Sequence, residues 1–326
     1  MDDMIRRIQE KKLRLDSYKP LLDSICKNME EWFRIELTYT SNAVEGNTLT
    51  RQETALVVEK GITVEGKSIT EHLEAVNHAK AFDFIKKLVG KKIGDITERV
   101  ILDIHSIILE KIDYINAGRY RNVPVRIAGA RVTLPNAMKV PDLMKEFINW
   151  LHEKNNDIIK LAADAHFKFV TIHPFIDGNG RTARLLMNLI LMQGGFPPAI
   201  IRKEDRNVYI QAIEKGQLQK DLSDYYEIIF KAIERSLDIY LEMLEPKEEQ
   251  TSKQVKLLKI GEIAKAVNET IPTIRYWTKE GLLKVEEYSK GGYQLYSSKA
   301  IDRIKQIRKL QSEKRLTIEE LKKVLI

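Results

Sequence analysis

The chain has 326 residues with ordinary apolar (43%) and charged (31%) fractions, which suggests two or three domains, because single cores rarely grow much past about 250–300 residues. Its one cysteine, Cys26, excludes an intrachain disulfide framework, and a charged N-terminus with no apolar run near the ~18 residues of a membrane span points to a cytoplasmic protein without a membrane partner. The net charge of +7 is unevenly placed: residues 256–326 carry 16 Lys+Arg against 9 Asp+Glu and hold the whole excess, so a polyanion such as nucleic acid is the expected partner of that part.

Residues 1–90 read as helices. Helical apolar spacing runs through "MIRRIQEKKLRLDSYKPLLDSICKNMEEWFRIELTYTSNAVEG" with a break expected at Pro20. Thr50 is a candidate N-cap for the next helix, with Glu53 three places on and Gly61 just past its end. "SITEHLEAVNHAKAFDFIKKLVGKK" and "DITERVILDIHSIILEKI" continue the helical pattern, the latter capped by Asp95 or Thr97. The period then changes. "RNVPVRIAGARVTLP" alternates around Ala128-Gly129-Ala130 and predicts a short β-hairpin. Helices resume at "DLMKEFINWLHEK", "LAADAHFKFVTI" and "LLMNLILMQGG", and "RNVYIQAIEKGQLQKDLSDYYEIIFKAIERSLDIYLEML" supplies two more. A polar, patternless stretch at 245–255 reads as a linker.

Between two of these helices stands "HPFIDGNGRTAR", His173 to Arg184. Gly178-Asn179-Gly180 immediately precedes an apolar helix. Glycines allow the backbone to turn successive N–H groups into one concavity, and the helix N-terminus adds unpaired donors and a partial positive charge. Arg181 lies in the first turn and Arg184 three residues on, on nearly the same face. Together they describe a seat for several phosphates. Asp177 beside that seat makes sense if it holds Mg²⁺, and His173 is a candidate general base. Taken singly, a histidine is usually structural and a Gly-Asn-Gly usually a turn; the conjunction argues for chemistry.

The stretch resembles the signature HPFx(D/E)GNGRxxR of Fic-family enzymes, with every defining position filled. The resemblance spans roughly residues 35–235. It implies a mostly α fold, a helical core with a β-hairpin flap, and an enzyme that moves AMP from ATP to a Ser, Thr or Tyr hydroxyl of a target protein, with the chain itself a possible target. By that resemblance His173 is the catalytic base and Asp177 the Mg²⁺ ligand. Asp177, Gly178, Asn179, Gly180, Arg181, Arg184 and Tyr209 surround ATP, and Phe175, grouped with them, anchors the loop in the core. The hairpin near Val125–Val132 corresponds to the flap that aligns a target segment by strand pairing. Upstream, "SNAVEGN" (Ser41–Asn47) read alone is a helix C-terminus with a stop. Beside a Fic core it resembles the inhibitory motif (S/T)xxxE(G/N), which implies that Glu45 pairs with Arg184 and blocks the γ-phosphate seat. Glu45 could equally orient a water for the reverse reaction, removal of AMP.

The basic tail has its own pattern: a helix at Ile260–Val267, a turn at Asn268, a second helix opening at Pro272, a strand–Gly-Gly–strand wing in "VEEYSKGGYQLYSS", and two closing helices. "IRYWTKEGLLK" and "GGYQLY" resemble the winged helix-turn-helix of MerR-type regulators, with Gln294 in place of the usual wing arginine and Asn268 in place of the turn glycine. DNA contacts are expected from Thr273, Arg275, Tyr276, Trp277 and Tyr293. No long pairing helix of the MerR kind follows, so a homodimer is expected to form through the catalytic part. The division predicted is 1–90 (helical, with the inhibitory motif), 91–244 (catalytic core), 245–255 (linker) and 256–326 (winged helix-turn-helix). The alternatives are an AMP-removing hydrolase on the same site, and a DNA-binding regulator that uses the Fic fold as a nucleotide sensor.

Overall fold

The computed structural model describes residues 2–153, 157–245, 257–289, 293–297, 299–314 and 316–325. Met1–Leu244 form one compact unit and Glu245–Ile326 another. The linker expected at 245–255 lies, apart from Glu245, outside the described residues.

The first unit opens with α1 (Asp2–Ser17) and α2 (Asp23–Glu45), broken around Pro20, which lacks the N–H a continuing helix needs. Helix α2 ends at Gly46, whose φ of 107° suits glycine. Helix α3 (Arg51–Lys60) begins with the expected capping box: Thr50 Oγ1 accepts from the Glu53 N–H, and the Glu53 carboxylate accepts from the Thr50 N–H at 2.7 Å. It stops at Gly61, φ 63°. Helix α4 (Ile69–Lys86) starts with Ser68 and Glu71 in the same roles. It ends short of the predicted Lys92, because Lys87, Leu88 and Val89 each bond the carbonyl three residues back and tighten the chain out of the helix. Thr97, not Asp95, caps α5 (Glu98–Ile108); Asp95 instead closes a turn on the Lys92 N–H.

Helices α6 (Val140–His152), α7 (Ile158–Ile172), α8 (Asn179–Gln193), α9 (Arg206–Gln219) and α10 (Ser223–Leu244) complete the unit. The hairpin of α7 and α8 is its centre. Ala162, Ala163 and Ala165 let α7 approach closely, and nearly every residue of α8 from Asn179 to Leu191 is buried. The core draws on helices from both ends of the unit, from Ile8 and Phe33 to Leu237. Arg7 and Lys11 of α1 meet Glu234 and Asp238 of α10. The α7–α8 corner, residues 173–178, therefore stands on the most deeply buried helix of the unit.

The hairpin predicted around Val125–Val132 is a turn without a ladder. Ala130 N–H bonds Ile127 O across Ala128-Gly129, but no strand is formed among the described residues of this segment. The physical reason is local: the Arg131 N–H is bonded by Glu214 of α9 at 2.9 Å rather than by the facing arm, and a lone two-stranded ribbon is marginal in water.

The second unit comprises β1 (Leu258–Lys259), α11 (Ile260–Val267), α12 (Ile271–Lys279), β2 (Glu287–Tyr288), β3 (Gln294–Tyr296), α13 (Lys299–Lys314) and α14 (Ile318–Leu325). Its antiparallel sheet has the order β1-β3-β2, with Leu258 opposite Tyr296 and Glu287 opposite Leu295. Strand β1 was not expected, since two residues carry no periodicity to read. Asn268 takes the left-handed conformation (φ 54°) in the turn, and Pro272 sits in the first turn of α12 behind the Thr270 cap. Ile263, Ile274, Trp277, Tyr296, Ile304 and Ile307 form a separate core. The Gly291-Gly292 turn of the wing lies outside the described residues.

Candidate active site

The corner is built from its backbone outward. His173 ends α7 in the left-handed region (φ 51°, ψ 61°), an uncommon conformation for a histidine that turns the chain sharply into the loop. Buried Arg121 straps this turn: its Nε donates to His173 O at 2.8 Å, and its own N–H donates to Pro174 O at 2.9 Å. Asn179 bonds both backbone groups of Phe175 with its side-chain amide. The Asn179 side chain is thus committed to the loop, and only its backbone can face a ligand. Phe175 is fully buried, its ring stacked 3.5 Å from that of His105. Grouping Phe175 with ligand-binding residues is therefore corrected: it is the anchor alone. His105 Nε2 lies 2.9 Å from Asp177 O.

Two guanidiniums sit under the α8 N-terminus, and acids from other helices hold both. Arg184 donates from Nε to Ser41 Oγ at 2.9 Å, and from an Nη to Ser41 O at 2.9 Å and Glu45 Oε1 at 2.6 Å. Burial opposes its charge, but Glu45 and then Tyr209 outweigh that and raise its pKa. Arg181 is paired with Glu74 at 2.9 Å and with Asp177 at 3.0 Å. The other oxygen of Glu74 accepts from Asn47 Nδ2 at 2.8 Å, so Glu74 ties Arg181 to the segment just after α2. A Cβ on Gly180 would collide with Glu45 Oε1, so a larger residue there would make the carboxylate shift.

Between the flap, α8 and α9 lies a cavity of about 340 Å³. Glu45, His173, Asn179, Gly180, Arg184 and Tyr209 all line it. Burial lowers the pKa of His173, and its buried Nδ1 makes no hydrogen bond although Val170 O is near. Tyr209 is buried; its hydroxyl meets His166 Nε2 at 2.7 Å, and His166 Nδ1 meets Tyr225 Oη at 2.9 Å. Asp177 and Arg181 stand outside this lining, and the Asp177 side chain is largely exposed (65%). A larger cleft of about 660 Å³ between α6, α7 and α10 carries no such cluster, and Lys168 and Lys160 already cover its Trp150 and Tyr226 rings.

Sequence reasoning missed Ser41, Glu74, His105 and Arg121 as members of the site. Ser41 was legible as the first position of its motif. The others sit in helices or loops where a lone polar residue carries no signal until the chain folds.

In the second unit, exposed Arg275 and Lys279 of α12, with Tyr288 and Tyr293 of the wing, border a cavity of about 700 Å³. Tyr276 is also half exposed, and Thr273 is partly buried beside Thr270. Trp277 is a correction. It is 2% exposed, packed in the unit's core with Arg308 over its ring, and cannot reach a groove. Gln294 accepts from Tyr296 Oη at 2.8 Å, so it serves the core of the wing.

One loop brings a histidine, an acid and a Gly-Asn-Gly turn to the start of a buried helix, beside two buried guanidiniums, in a mostly helical unit. Residues 95–191 match the family model described as the Fic/DOC family, and residues 258–325 match that of the MerR HTH family regulatory proteins. A curated relative, "Protein adenylyltransferase Fic" of Nematostella vectensis, is 37% identical over 73% of this chain and 56% of its own length. Its namesake in Aedes aegypti is 36% identical over 73% of this chain and 49% of its own length. The chain thus spans about half the length of these curated relatives. Among solved structures, Fic-1 (aa134–508) from C. elegans superposes with a TM-score of 0.69 at 32% identity, covering 76% of this chain and 73% of that one. The chain belongs to the Fic/DOC family.

Proposed function

We propose that the chain is an autoinhibited protein adenylyltransferase, transferring AMP from ATP to a hydroxyl of a target protein, with a DNA-binding C-terminal unit. The observation that carries this reading is the Arg184–Glu45 pair inside the cavity that His173 lines. In-line attack at a phosphorus needs positioning and charge neutralisation more than covalent participation, and this corner offers both.

The target hydroxyl oxygen attacks the α-phosphorus as its proton passes to neutral His173. The new O–P bond forms as the bond to the β-phosphate oxygen breaks, and pyrophosphate leaves. Backbone N–H groups of Gly178 to Arg181 receive the phosphates, and Arg184 grips the γ-phosphate once Glu45 releases it. Asp177 fits a Mg²⁺ site: its carboxylate is exposed beside the nest. An ion held by one carboxylate and phosphate oxygens is characteristic of Mg²⁺, which when bound neutralises phosphate charge. Arg181 holds Asp177 Oδ2 at 3.0 Å, and the second carboxylate oxygen can take that role while the pair stays.

A second direction, hydrolytic removal of AMP, is favoured by the presence of Glu45 in the same cavity as His173, where it can orient a water. Both directions need ATP or an AMP-modified protein as partner. We infer a cytoplasmic location, which the expected DNA partner of the second unit supports. The test is labelled ATP with Mg²⁺ and lysate proteins, wild type against Glu45→Gly. Arg184 is buried but the Glu45 side chain is 38% exposed, so the pair is worth less than the ~3–5 kcal/mol of a fully buried one, and transfer is expected to rise by at least about tenfold. A variant no faster than wild type removes the lock from this account. A variant that loses only AMP removal transfers the assignment to the hydrolase.

A further inference from the structure

The loop that presents the phosphate-facing N–H groups contains a peptide that nothing in its own sequence holds in place. Gly178 has φ 76°, and a glycine on that side of the map leaves the preceding peptide free to flip. In a planar trans peptide the C=O of one residue and the N–H of the next point opposite ways. The direction of the Asp177 carbonyl therefore decides where the Gly178 N–H points. If the carbonyl faces the protein, the N–H faces the nest; if the peptide flips, an oxygen replaces a donor opposite the phosphates.

His105 of α5 faces that carbonyl, with Nε2 2.9 Å from Asp177 O. Its other nitrogen, Nδ1, lies 3.0 Å from the backbone N–H of Gly118. A backbone N–H can only donate, so Nδ1 carries the lone pair and the proton of the neutral ring sits on Nε2. Nε2–H then donates to Asp177 O. The Gly118 donor is itself fixed: Gly118 has φ 66°, and a Cβ there would meet Leu102 O and Ser106 Cβ, each at 3.1 Å. The ring cannot turn, because it is fully buried and lies flat on Phe175, with an interplanar angle of 2°. Gly178 passes directly beneath it, where a Cβ would sit 3.2 Å from the ring.

We infer that His105 is a positioning residue for the anion seat: the chain Gly118 N–H to Nδ1, Nε2–H to Asp177 O, locks the 177–178 peptide with the Gly178 N–H turned toward the phosphates. His105 touches no substrate and acts through the loop. This rests on the adenylyltransferase reading for its catalytic consequence, though not for its geometry.

The test uses the full chain carrying Glu45→Gly, with His105→Phe and His105→Gln added separately. Phenylalanine keeps the stack on Phe175 and loses the donor; glutamine keeps a donor that reaches the Asp177 carbonyl. Removing one oriented donor from such a seat costs up to about 10²–10³ in rate. His105→Phe is expected to lower kcat for AMP transfer by about ten- to a hundredfold and to weaken ATP binding, read by calorimetry, by about tenfold. His105→Gln should stay within about fivefold of the parent on both, with melting temperatures of the two variants alike. Nitrogen-15 NMR of the parent should show the proton of His105 on Nε2. A proton on Nδ1, or Phe and Gln variants equally impaired or equally unimpaired, overturns the inference. Should the parent transfer no AMP at all, the functional reading fails. The ring proton and the ATP affinities then still decide the role of His105; if a variant does not fold, the ring proton of the parent decides it.

Discussion

His173 combines three properties that a general base on this loop needs. It is held in a left-handed backbone conformation by Arg121, it lines the cavity, and burial lowers its pKa from the ordinary histidine value. A lowered pKa leaves the imidazole neutral at pH 7. The acid limb of kcat/KM for AMP transfer is therefore expected below pH 6.5, with a flat profile above it; a limb centred above pH 7 contradicts the assignment. His173→Ala is expected to abolish transfer while ATP binding, read by calorimetry, stays near normal. Deeper in the unit, His78 and His166 are fully buried, and burial pushes each down to about 3. Unfolded, both take a proton near pH 6.5. Between pH 6.5 and 3 the unfolded chain thus binds more protons than the folded one, and stability rises with pH across that window. Urea midpoints for the first unit should fall steadily from pH 6.5 to pH 4 and be level above pH 7. A midpoint unchanged at pH 4.5 would mean that these rings are protonated in the fold.

At the scale of elements, α2 is the part that can release the site. Ser41 and Glu45 lie one turn apart on the same face, and both grip Arg184. Ser41→Ala removes one hydrogen bond to a charged donor, about 1.5–3 kcal/mol, while the Ser41 carbonyl and Glu45 remain. Transfer by Ser41→Ala should rise about tenfold, measured as labelled AMP on protein, and stay below that of Glu45→Gly. A variant indistinguishable from wild type leaves Glu45 as the sole restraint. Elements whose ends are written in local chemistry were legible in the sequence. Thr50 with Glu53, Gly61, Pro272 and Asn268 act within a turn of where they stand, and so does the Gly-Asn-Gly corner. What was not legible depends on partners far along the chain. The flap alternates like a hairpin, yet a side chain of α9 takes one of its N–H groups. Trp277 shares a helix with exposed Arg275 and Tyr276, and only the packing of the rest of the second unit around it makes it core. Glu74 is an ordinary acid in an amphipathic helix until the fold sets Arg181 beside it.

The whole molecule joins a charge-balanced Fic unit to a basic one, and that division predicts how it meets DNA. The entire +7 excess lies in residues 256–326, so phosphate contacts can supply affinity there. Arg275 and Lys279 are exposed on α12 at the edge of the cavity that Tyr288 and Tyr293 also border. Helix α12 spans only nine residues, and one such helix reads a few base pairs. Two copies on a symmetric site are normally required for useful specificity. Full-length protein is therefore expected to shift duplex DNA as a dimer built through the first unit, whereas the segment 256–326 alone, although it has its own core, should bind poorly. Because each neutralised phosphate releases counterions, the affinity should fall with salt at a slope of about −0.9 per contact. Arg275→Ala should weaken binding and flatten that slope by about one unit while leaving AMP transfer unchanged, since Arg275 belongs to the second compact unit and the transfer site to the first. Trp277→Ala should differ from it in kind, unfolding the second unit by removing the largest side chain of its core. Gel shifts against genomic fragments at low and moderate salt, beginning with the region upstream of the gene, read all of these. If the folded full-length protein shifts no DNA at low salt, the basic unit docks on another protein instead, and Arg275 should then matter for target capture rather than for DNA.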